Sequence, residues 1–405
     1  MTAGLNVLLL ERIHPVAEQL LVSAGHHVSR VDSALGPDEL VEHLRGVQLL
    51  GIRSQTHVTE DVVAASPDLQ AVGAFCIGVN QIDLTATAHR GIAAFNAPYS
   101  NTRSVVELAI GEIISLTRRL TDKSTGMHAG QWNKSAAGAH EIRGRRLGIV
   151  GYGNIGSQLS VIAEALGLSV SFYDTGDKLA LGNARRCGTM DELLASVDIV
   201  TLHVDGRPGN ADLFGEAEFA RMLPGSLFLN LSRGFTVDHD ALRAHIESGH
   251  LAGAAIDVFP SEPKGAGDPF VSELRGLPNV ILTPHIGGST EEAQEDIGRY
   301  VAGKLIDFAA SGASTMSVNL PALAPDSPRG ACRLVYVHHN VPGVLAAVNA
   351  VLAQHGVNVD SQQLATRDDI GYLVTDIAAD YGDAVQAQLE ALPETIRLRA
   401  LRSVR

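Results

Sequence analysis

Short apolar runs alternate with helical patterns through about the first 300 residues, and this alternation limits the possible folds more than any other feature. Such a β–α repeat favours parallel sheets whose strands are joined by right-handed crossovers. The clearest strand candidates are Val7–Leu10, Leu49–Ile52, Ala71–Phe75, Arg146–Val150, Val170–Tyr173, Ile199–His203, Leu227–Leu231, Gly253–Val258 and Val280–Thr283. The clearest helix candidates are Val16–Ala24, Pro37–Leu44, Thr102–Leu120 and Thr290–Ala310.

The C-terminal part of the chain has a different pattern. Ser, Ala, Pro and Gly predominate from Ser311 to Gly330, which is typical of a linker. The residues that follow predict a small α+β unit. Its strands are Cys332–Val337, Asn358–Ala365, Gly371–Ala378 and Ile396–Leu401, and its helices are Gly343–His355 and Ala384–Leu392.

Composition excludes several classes of function. The 405 residues are 45% hydrophobic and carry a formal net charge of -14, which argues against binding nucleic acid or an anionic membrane surface. The three cysteines (Cys76, Cys187 and Cys332) are scattered, so they predict neither a disulfide framework nor a metal site. The apolar run Leu5–Leu10 is too short to span a membrane. A cytoplasmic protein is expected.

A glycine motif follows the predicted strand Arg146–Val150. Gly151, Gly153 and Gly156 have G-x-G-x-x-G spacing, and a helical pattern begins within the motif. The strand, the glycines and the helix together form the dinucleotide fingerprint, in which a pyrophosphate binds at the helix N-terminus. Asp174 ends the next strand, where a carboxylate binds ribose hydroxyls and repels a 2′-phosphate. We therefore expect NAD rather than NADP; a glycine turn with an unrelated surface aspartate is the alternative.

Polar residues follow three later strands, at the edge where open α/β sheets build their sites. The segments are Asn230–Gly234, Asp257–Pro263 and Thr283–Gly288. They contain Arg233, Glu262 and His285. Arg233 could instead be a surface arginine, Glu262 an exposed loop acid, and His285 a structural or solvated histidine. Spacing alone does not show that the three side chains converge.

Over essentially its whole length the chain resembles the D-isomer-specific 2-hydroxyacid dehydrogenases, and among them the bacterial branch that ends in a regulatory ACT domain. The resemblance implies two Rossmann-like doubly wound domains and a C-terminal α+β ACT domain. It also implies that the cofactor domain is inserted into a discontinuous substrate domain. Besides the segments above, the resemblance rests on Cys76–Asn80, Phe95–Pro98, Asn101–Ser104, Trp132–Lys134 and Gly253–Phe259. The expected domains are 1–100 with 290–320 (substrate), 101–289 (NAD), 321–330 (linker) and 331–405 (ACT).

The same resemblance implies roles for individual residues. Arg233 would bind the substrate carboxylate, His285 would exchange a proton with the substrate oxygen, and Glu262 would orient His285. Asp257 would lie beside the nicotinamide ring. The full set of expected cofactor contacts is Gly151, Gly153, Asn154, Ile155, Gly156, Asp174, Leu231, Ser232, Arg233, Asp257, His285, Gly287 and Gly288. Plain strand-end polarity remains the alternative for Asp257 and Ser232.

The branch implies 3-phosphoglycerate as substrate, with Arg53, Ser54 and Lys134 joining Arg233 in binding it. Two positions depart from the branch. Gln55 stands where the related enzymes have an arginine, which weakens the expected phosphate site, and Asp205 replaces a proline near the nicotinamide. Another D-2-hydroxy acid, such as 2-hydroxyglutarate, is therefore an alternative substrate. A dinucleotide-sensing co-repressor scaffold is the alternative from outside the enzymes.

The ACT-like tail implies an effector. His338, Asn340 and Asn358 match positions that bind L-serine between paired ACT domains in the related enzymes, which implies feedback inhibition and a homo-oligomer, expected to be a tetramer. Asparagine offers both a donor and an acceptor to an amino acid. The alternative is that Asn340 caps a helix and Asn358 lies in a turn.

Overall fold

A computed structural model describes residues 4–263, 267–327, 332–378 and 383–402. The chain divides into two compact units. One consists of residues 1–100 and 294–405, and the other of residues 101–293.

The first unit begins with a five-stranded parallel sheet whose strand order is β2-β1-β3-β4-β5. Its elements are β1 (Asn6–Leu10), α1 (Pro15–Ser23), β2 (His27–Val31), α2 (Pro37–His43), β3 (Leu49–Ile52), α3 (Glu60–Ala65), β4 (Ala71–Ala74), α4 (Leu84–Ala88) and β5 (Ala93–Phe95). Residues of β1, β3 and β4 are buried on both faces, as in a doubly wound sheet. The sequence pattern missed β2 and β5.

The second unit contains a seven-stranded parallel sheet with the order β12-β11-β10-β9-β6-β7-β8. Counted from its first strand, this is the Rossmann order, which reverses between β6 and β9. The elements are α5 (Thr102–Arg118), α6 (Leu120–His128), β6 (Arg146–Val150), α7 (Asn154–Ala165), β7 (Ser169–Tyr173), β8 (Arg185–Arg186), α8 (Met190–Leu194), β9 (Ile199–Leu202), α9 (Glu216–Arg221), β10 (Ser226–Asn230), α10 (His239–Glu247), β11 (Leu251–Ile256) and β12 (Val280–Leu282).

The helix α11 (Glu291–Ser311) leads back into the first unit. A βαββαβ domain follows, with a four-stranded antiparallel sheet in the order β14-β15-β13-β16. Its elements are β13 (Cys332–His339), α12 (Val344–Gln354), β14 (Val359–Arg367), β15 (Ile370–Ile377), α13 (Asp383–Glu390) and β16 (Thr395–Arg402). The predicted fold class, two doubly wound domains and an α+β tail, is therefore confirmed.

The C-terminal sheet packs directly on the first unit's core. Alternate residues of β13 face opposite ways: Leu334 and Tyr336 pack beneath α12 and α13, whereas Val335 and Val337 join the core that includes Phe308. In the predicted linker, Leu323 is also buried in that core, and residues 328–330 lie outside the described part.

Two arginines of the sheet bind the C-terminal carbonyls of α11. Arg333 pairs with Asp376 at 2.7 Å, both 1% exposed, and donates to the Ser311 carbonyl at 3.0 Å. Arg399 donates to Phe308 and Ala309. Cationic side chains stabilise a helix C-terminus.

Among the described residues, no helix is both long and apolar enough to span a membrane. No group of His, Cys, Asp and Glu within those ranges has the arrangement of a metal site.

Candidate active site

The glycine turn after β6 has three glycines, of which Gly151 and Gly156 have no room for a side chain. Gly151 has φ +92°, and a Cβ there would lie 2.6 Å from the His203 carbonyl oxygen. A Cβ on Gly156 would overlap the Gly151 carbonyl, whereas one on Gly153 would meet nothing within 4 Å. Gly153 is the N-cap of α7, and because it has no side chain it leaves open space in front of the free N–H groups of that helix. This cradle suits a pyrophosphate.

Asp174 follows β7 beside this turn. Its carboxylate accepts hydrogen bonds from the Tyr152 N–H at 2.7 Å and the Gly176 N–H at 2.8 Å. The two bonds fix the carboxylate against the glycine turn, where it would accept hydrogen bonds from the ribose hydroxyls. Arg186, which the sequence analysis missed, lies next to this loop, pairs with Asp177 at 2.5 Å and donates to the Gly176 carbonyl at 2.9 Å.

His285 and Glu262 form a pair. The Nδ1 atom of His285 is 2.9 Å from Oε2 of Glu262 and 3.1 Å from Oε1. The hydrogen bond that His285 donates to Glu262 is the main reason why the pKa of His285 lies above its ordinary value, although burial opposes the shift. Burial raises the pKa of the Glu262 carboxyl, but the bond and charge of His285, helped by the Phe259 N–H and Arg233, outweigh it and lower the pKa overall. The pair leaves Nε2 of His285 for a substrate.

Asp257 holds the turn that carries His285. It is 1% exposed, and its Oδ1 accepts from the Thr283 hydroxyl at 2.6 Å and the Ile286 N–H at 2.8 Å. Its Oδ2 accepts from the Gly287 N–H at 2.8 Å. His285 has φ +54°, a conformation that is costly for a residue with a Cβ. The aspartate was expected beside the nicotinamide; the contacts observed are those of a residue that stabilises this strained turn.

Arg233 follows β10 in a turn built around Asn230, which is fully buried. The Asn230 oxygen accepts from the N–H of Ser232 at 3.0 Å and from its hydroxyl at 2.8 Å, and its amide donates to the Arg233 carbonyl at 3.0 Å. A Cβ on Gly234 would overlap the Phe259 backbone, so glycine lets this turn approach the segment leading to Glu262. The positive charge of Arg233 lowers the pKa of both Glu262 and His285. The three predicted catalytic residues therefore converge.

The other predicted cofactor residues lie along the same edge. Leu231 is buried directly after β10, Asn154 and Ile155 begin α7, and Gly288 approaches Asn101 closely.

Asp205 is the position at which the sequence departs from the related enzymes and was expected to place an extra acid near the nicotinamide. Its negative charge is balanced by the neighbouring Arg207. Its carboxylate accepts from Arg207 Nε at 2.7 Å and Nη2 at 2.8 Å, and from the Asn210 amide at 2.9 Å. Hydrogen bonding to Arg207 lowers the pKa of Asp205 despite burial.

The predicted substrate and effector residues lie elsewhere. Arg53 and Ser54 follow β3 in the first unit, and Lys134 lies in an exposed segment after α6 in the second. His338 is 4% exposed and is covered by Gly371, with its Nδ1 2.8 Å from the His339 carbonyl. Asn340 donates to the Asp368 carbonyl, and Asn358 donates to Asp360. Gly343, not Asn340, is the N-cap of α12.

Comparison with known proteins agrees with this geometry. Residues 110–287 match the family model for the D-isomer specific 2-hydroxyacid dehydrogenase NAD binding domain, and residues 334–397 match an AHAS small subunit-like ACT domain. The chain is 48% identical over 400 residues to D-3-phosphoglycerate dehydrogenase of Escherichia coli and 46% identical over 398 residues to that of Haemophilus influenzae. Each match covers 98% of this chain and 97% of the relative.

Among solved structures, the NAD-dependent formate dehydrogenase of Staphylococcus aureus in complex with NAD superimposes with a TM-score of 0.65. It is 25% identical and covers 75% of this chain and 95% of its own. The chain therefore belongs to the D-isomer-specific 2-hydroxyacid dehydrogenase family, as an NAD-dependent oxidoreductase of the branch whose members are named D-3-phosphoglycerate dehydrogenase.

Proposed function

We propose that the chain catalyses the NAD-dependent oxidation of 3-phospho-D-glycerate to 3-phosphohydroxypyruvate, the first step of phosphorylated L-serine biosynthesis. The observation that carries the proposal is the His285–Glu262 pair beside Arg233, on the same sheet edge as the glycine turn. The full-length relatives named D-3-phosphoglycerate dehydrogenase support the choice of substrate. We assign residues 101–289 to NAD and residues 1–100 with 290–320 to the substrate.

Each catalytic side chain has a distinct task. Arg233 binds the substrate carboxylate, because a guanidinium can hold both oxygens and so fix the orientation of C2. His285 removes the proton from the C2 hydroxyl, and Glu262 stabilises the imidazolium that forms. The glycine turn and Asp174 would hold NAD, which would supply the acceptor for the hydride that leaves C2. In the reverse direction the imidazolium of His285 returns the proton to the carbonyl oxygen.

The second anionic group of the substrate requires cations of its own. We assign it to Arg53 and Ser54, with Lys134 as a further cation. The Arg53 guanidinium makes no hydrogen bond or ion pair with any residue that the structure describes, so its charge is available to a ligand. Gln55, in place of an arginine, lowers the positive charge there, which favours some activity on a substrate with a second carboxylate instead of a phosphate.

The direct experiment follows NADH absorbance with 3-phosphoglycerate and NAD, and separately with 2-oxoglutarate and NADH. We expect turnover with 3-phosphoglycerate, and weaker reduction of 2-oxoglutarate. Turnover only with an unphosphorylated acid would assign the enzyme another D-2-hydroxy acid. NADH binding without turnover of either acid would support a dinucleotide-sensing scaffold.

We further propose that L-serine binds to the C-terminal domain and inhibits the enzyme. Asn340 follows β13 near the Ile370 end of β15, whereas Asn358 precedes β14 near the Ile377 end. About seven residues of strand separate the two ends, or roughly 23 Å at 3.3 Å per residue. Because one serine cannot span this distance, the site requires two copies of the domain, and the proposal includes a homo-oligomer, expected to be a tetramer.

Titration with serine tests this proposal. Serine should lower the initial rate of the unchanged chain, and Asn340→Ala and Asn358→Ala should each weaken the inhibition while leaving the uninhibited rate intact. Asn349→Ala, the same change at an exposed asparagine in the middle of α12, is the matched control. Inhibition that survives both asparagine changes would place serine elsewhere. His338 should act indirectly, because its ring is buried.

A further inference from the structure

Three turns at the carboxyl edge of the first sheet are joined by side chains. One turn, Arg53–Thr56, follows β3; the second, Cys76–Gly78, lies just beyond β4; and the third begins at Asn96, after β5. In a doubly wound sheet this edge is where ligands bind.

Glu11 binds the first turn from the end of β1. Its Oε2 accepts the N–H of Gln55 at 3.0 Å, and its Oε1 accepts the N–H of Thr56 at 2.8 Å. Glu11 is 8% exposed, so the carboxylate has lost most of its hydration, and these charge-assisted bonds replace it. Glu11 and Arg12 have φ of +58° and +52°, two consecutive left-handed residues that cost stability. These two residues form a turn directly after β1, and this turn carries the Glu11 carboxylate.

Gln81 binds the same turn from its other side. Its Nε2 donates to the Arg53 carbonyl at 2.6 Å and to the Gly78 carbonyl at 3.2 Å, and it lies 3.3 Å from Sγ of Cys76. Gln81 is 7% exposed. Asn96 completes the series by donating to the Ile77 carbonyl at 2.6 Å. The backbone immediately before and immediately after Ser54 is therefore held by buried side chains, whereas the Ser54 side chain is exposed.

We propose that Glu11 and Gln81 are positioning residues for the phosphate of the substrate: they hold the backbone on both sides of Arg53 and Ser54 so that these two side chains meet the phosphate in a preset geometry. The inference rests on the proposed function, in which Arg53 and Ser54 bind that group. A preset cation loses less conformational freedom on binding, so the gain appears as substrate affinity. Neither residue takes part in proton or hydride transfer.

Steady-state kinetics of Glu11→Gln tests the proposal. Glutamine has nearly the shape of glutamate, but it offers one acceptor oxygen to the two N–H groups and loses the charge. We expect KM for 3-phosphoglycerate to rise roughly tenfold or more, the size of a lost charge-assisted hydrogen bond. We expect kcat and the NADH dissociation constant to stay near their original values. For an unphosphorylated D-2-hydroxy acid, KM should change far less.

Gln81→Met provides an independent variant, because it keeps the length of the side chain and removes the donors. It should raise the same KM selectively, even if Glu11→Gln yields too little folded protein. Glu11→Asp, which keeps the charge, should lie between Glu11→Gln and the unchanged chain. Glu18→Gln is the matched control: Glu18 also lies in the first unit and pairs with Arg30 at 3.0 Å, and this change should leave both KM values unaltered.

The outcomes separate this inference from the proposed function. Absence of 3-phosphoglycerate turnover in the unchanged chain would overturn both. Normal turnover with unchanged KM in folded Glu11→Gln and Gln81→Met would overturn the inference alone. Equal KM increases for phosphorylated and unphosphorylated substrates would also overturn it, because they would indicate a general structural role.

Discussion

Glu112 offers a quantitative test of the geometry around the His285 turn. It lies on the buried face of α5 and is 4% exposed, and neither carboxyl oxygen has a hydrogen-bond partner among the described residues. Burial, and then the nearby charge of Asp257, raise the pKa of Glu112 to about 8. The side chain is therefore neutral in the folded protein at pH 7, next to the carboxylate that holds the catalytic turn.

The change Glu112→Gln removes this titration and nearly preserves the shape. Between pH 4.5 and about 8 the folded chain keeps a proton that the unfolded chain releases, so the free energy of unfolding falls as pH rises through that interval. At about 1.4 kcal/mol for each pH unit, the full interval corresponds to roughly 5 kcal/mol. Glutamine does not titrate. The free energy of unfolding of the variant minus that of the unchanged chain should therefore increase as pH rises from 5 to 8, whatever the difference is at pH 5.

Denaturant unfolding of the full chain at pH 5, 6, 7 and 8 measures this difference. The transition that belongs to the second unit is identified by its shift to higher denaturant when NADH is added. Glu107→Gln, an exposed position on the same helix, is the matched control. Parallel pH profiles for Glu112→Gln and the unchanged chain would refute the placement of a neutral carboxyl beside Asp257.

Three further predictions concern the cofactor, the substrate and the catalytic turn. Asp174→Ala should weaken NAD binding and narrow the preference over NADP, measured by titration with both cofactors; an unchanged chain that prefers NADPH would contradict the assignment. Gln55→Arg should lower KM for 3-phosphoglycerate more than for an unphosphorylated acid, with a gain that shrinks as salt is added; equal effects would show that position 55 does not face the phosphate. Asp257→Asn removes at least one of three hydrogen bonds to the His285 turn and should lower the rate constant of hydride transfer roughly tenfold or more, measured in single-turnover experiments; a retained rate constant would refute the positioning role.

The apolar runs predicted most of the sheet strands, because a buried parallel strand is continuously hydrophobic. The pattern missed β2, whose residues His27–Val31 are partly exposed at a sheet edge, and β5, whose three residues Ala93–Phe95 form too short a run. It also missed β8, which consists of the two exposed arginines Arg185 and Arg186. The pattern also predicted the helix α11 and the strands and helices of the C-terminal α+β domain. That the C-terminal sheet would pack on α11 is a long-range property with no local signal in the sequence.

The strand-end segments that contain the site residues could be predicted, since polar residues after buried parallel strands lie at one edge, but the roles of Arg233, Glu262 and His285 came from the family resemblance. Their contacts could not be predicted. Glu262 and His285 are 23 residues apart, and only the fold shows that they form a hydrogen bond. Asp257 was expected beside the nicotinamide ring, whereas its three hydrogen bonds are made to the turn that carries His285. The burial of Glu112 could have been predicted from the sequence. With Val105, Ala109 and Leu116 it follows the helical period of a buried face, where a glutamate is unusual.

The pH dependence of kcat/KM in both directions tests the central claim, that His285 is the acid–base group and Glu262 raises its pKa. Oxidation of 3-phosphoglycerate requires neutral His285, so the rate should be lost as pH falls through the pKa of that residue; reduction requires the imidazolium, so its rate should be lost as pH rises. Glu262→Gln replaces the charged acceptor that raises this pKa with a neutral amide, so both limbs should move to lower pH, while His285→Ala should lower turnover about 100-fold or more in both directions. Limbs that stay in place in Glu262→Gln, or near-normal turnover in His285→Ala, would contradict the account.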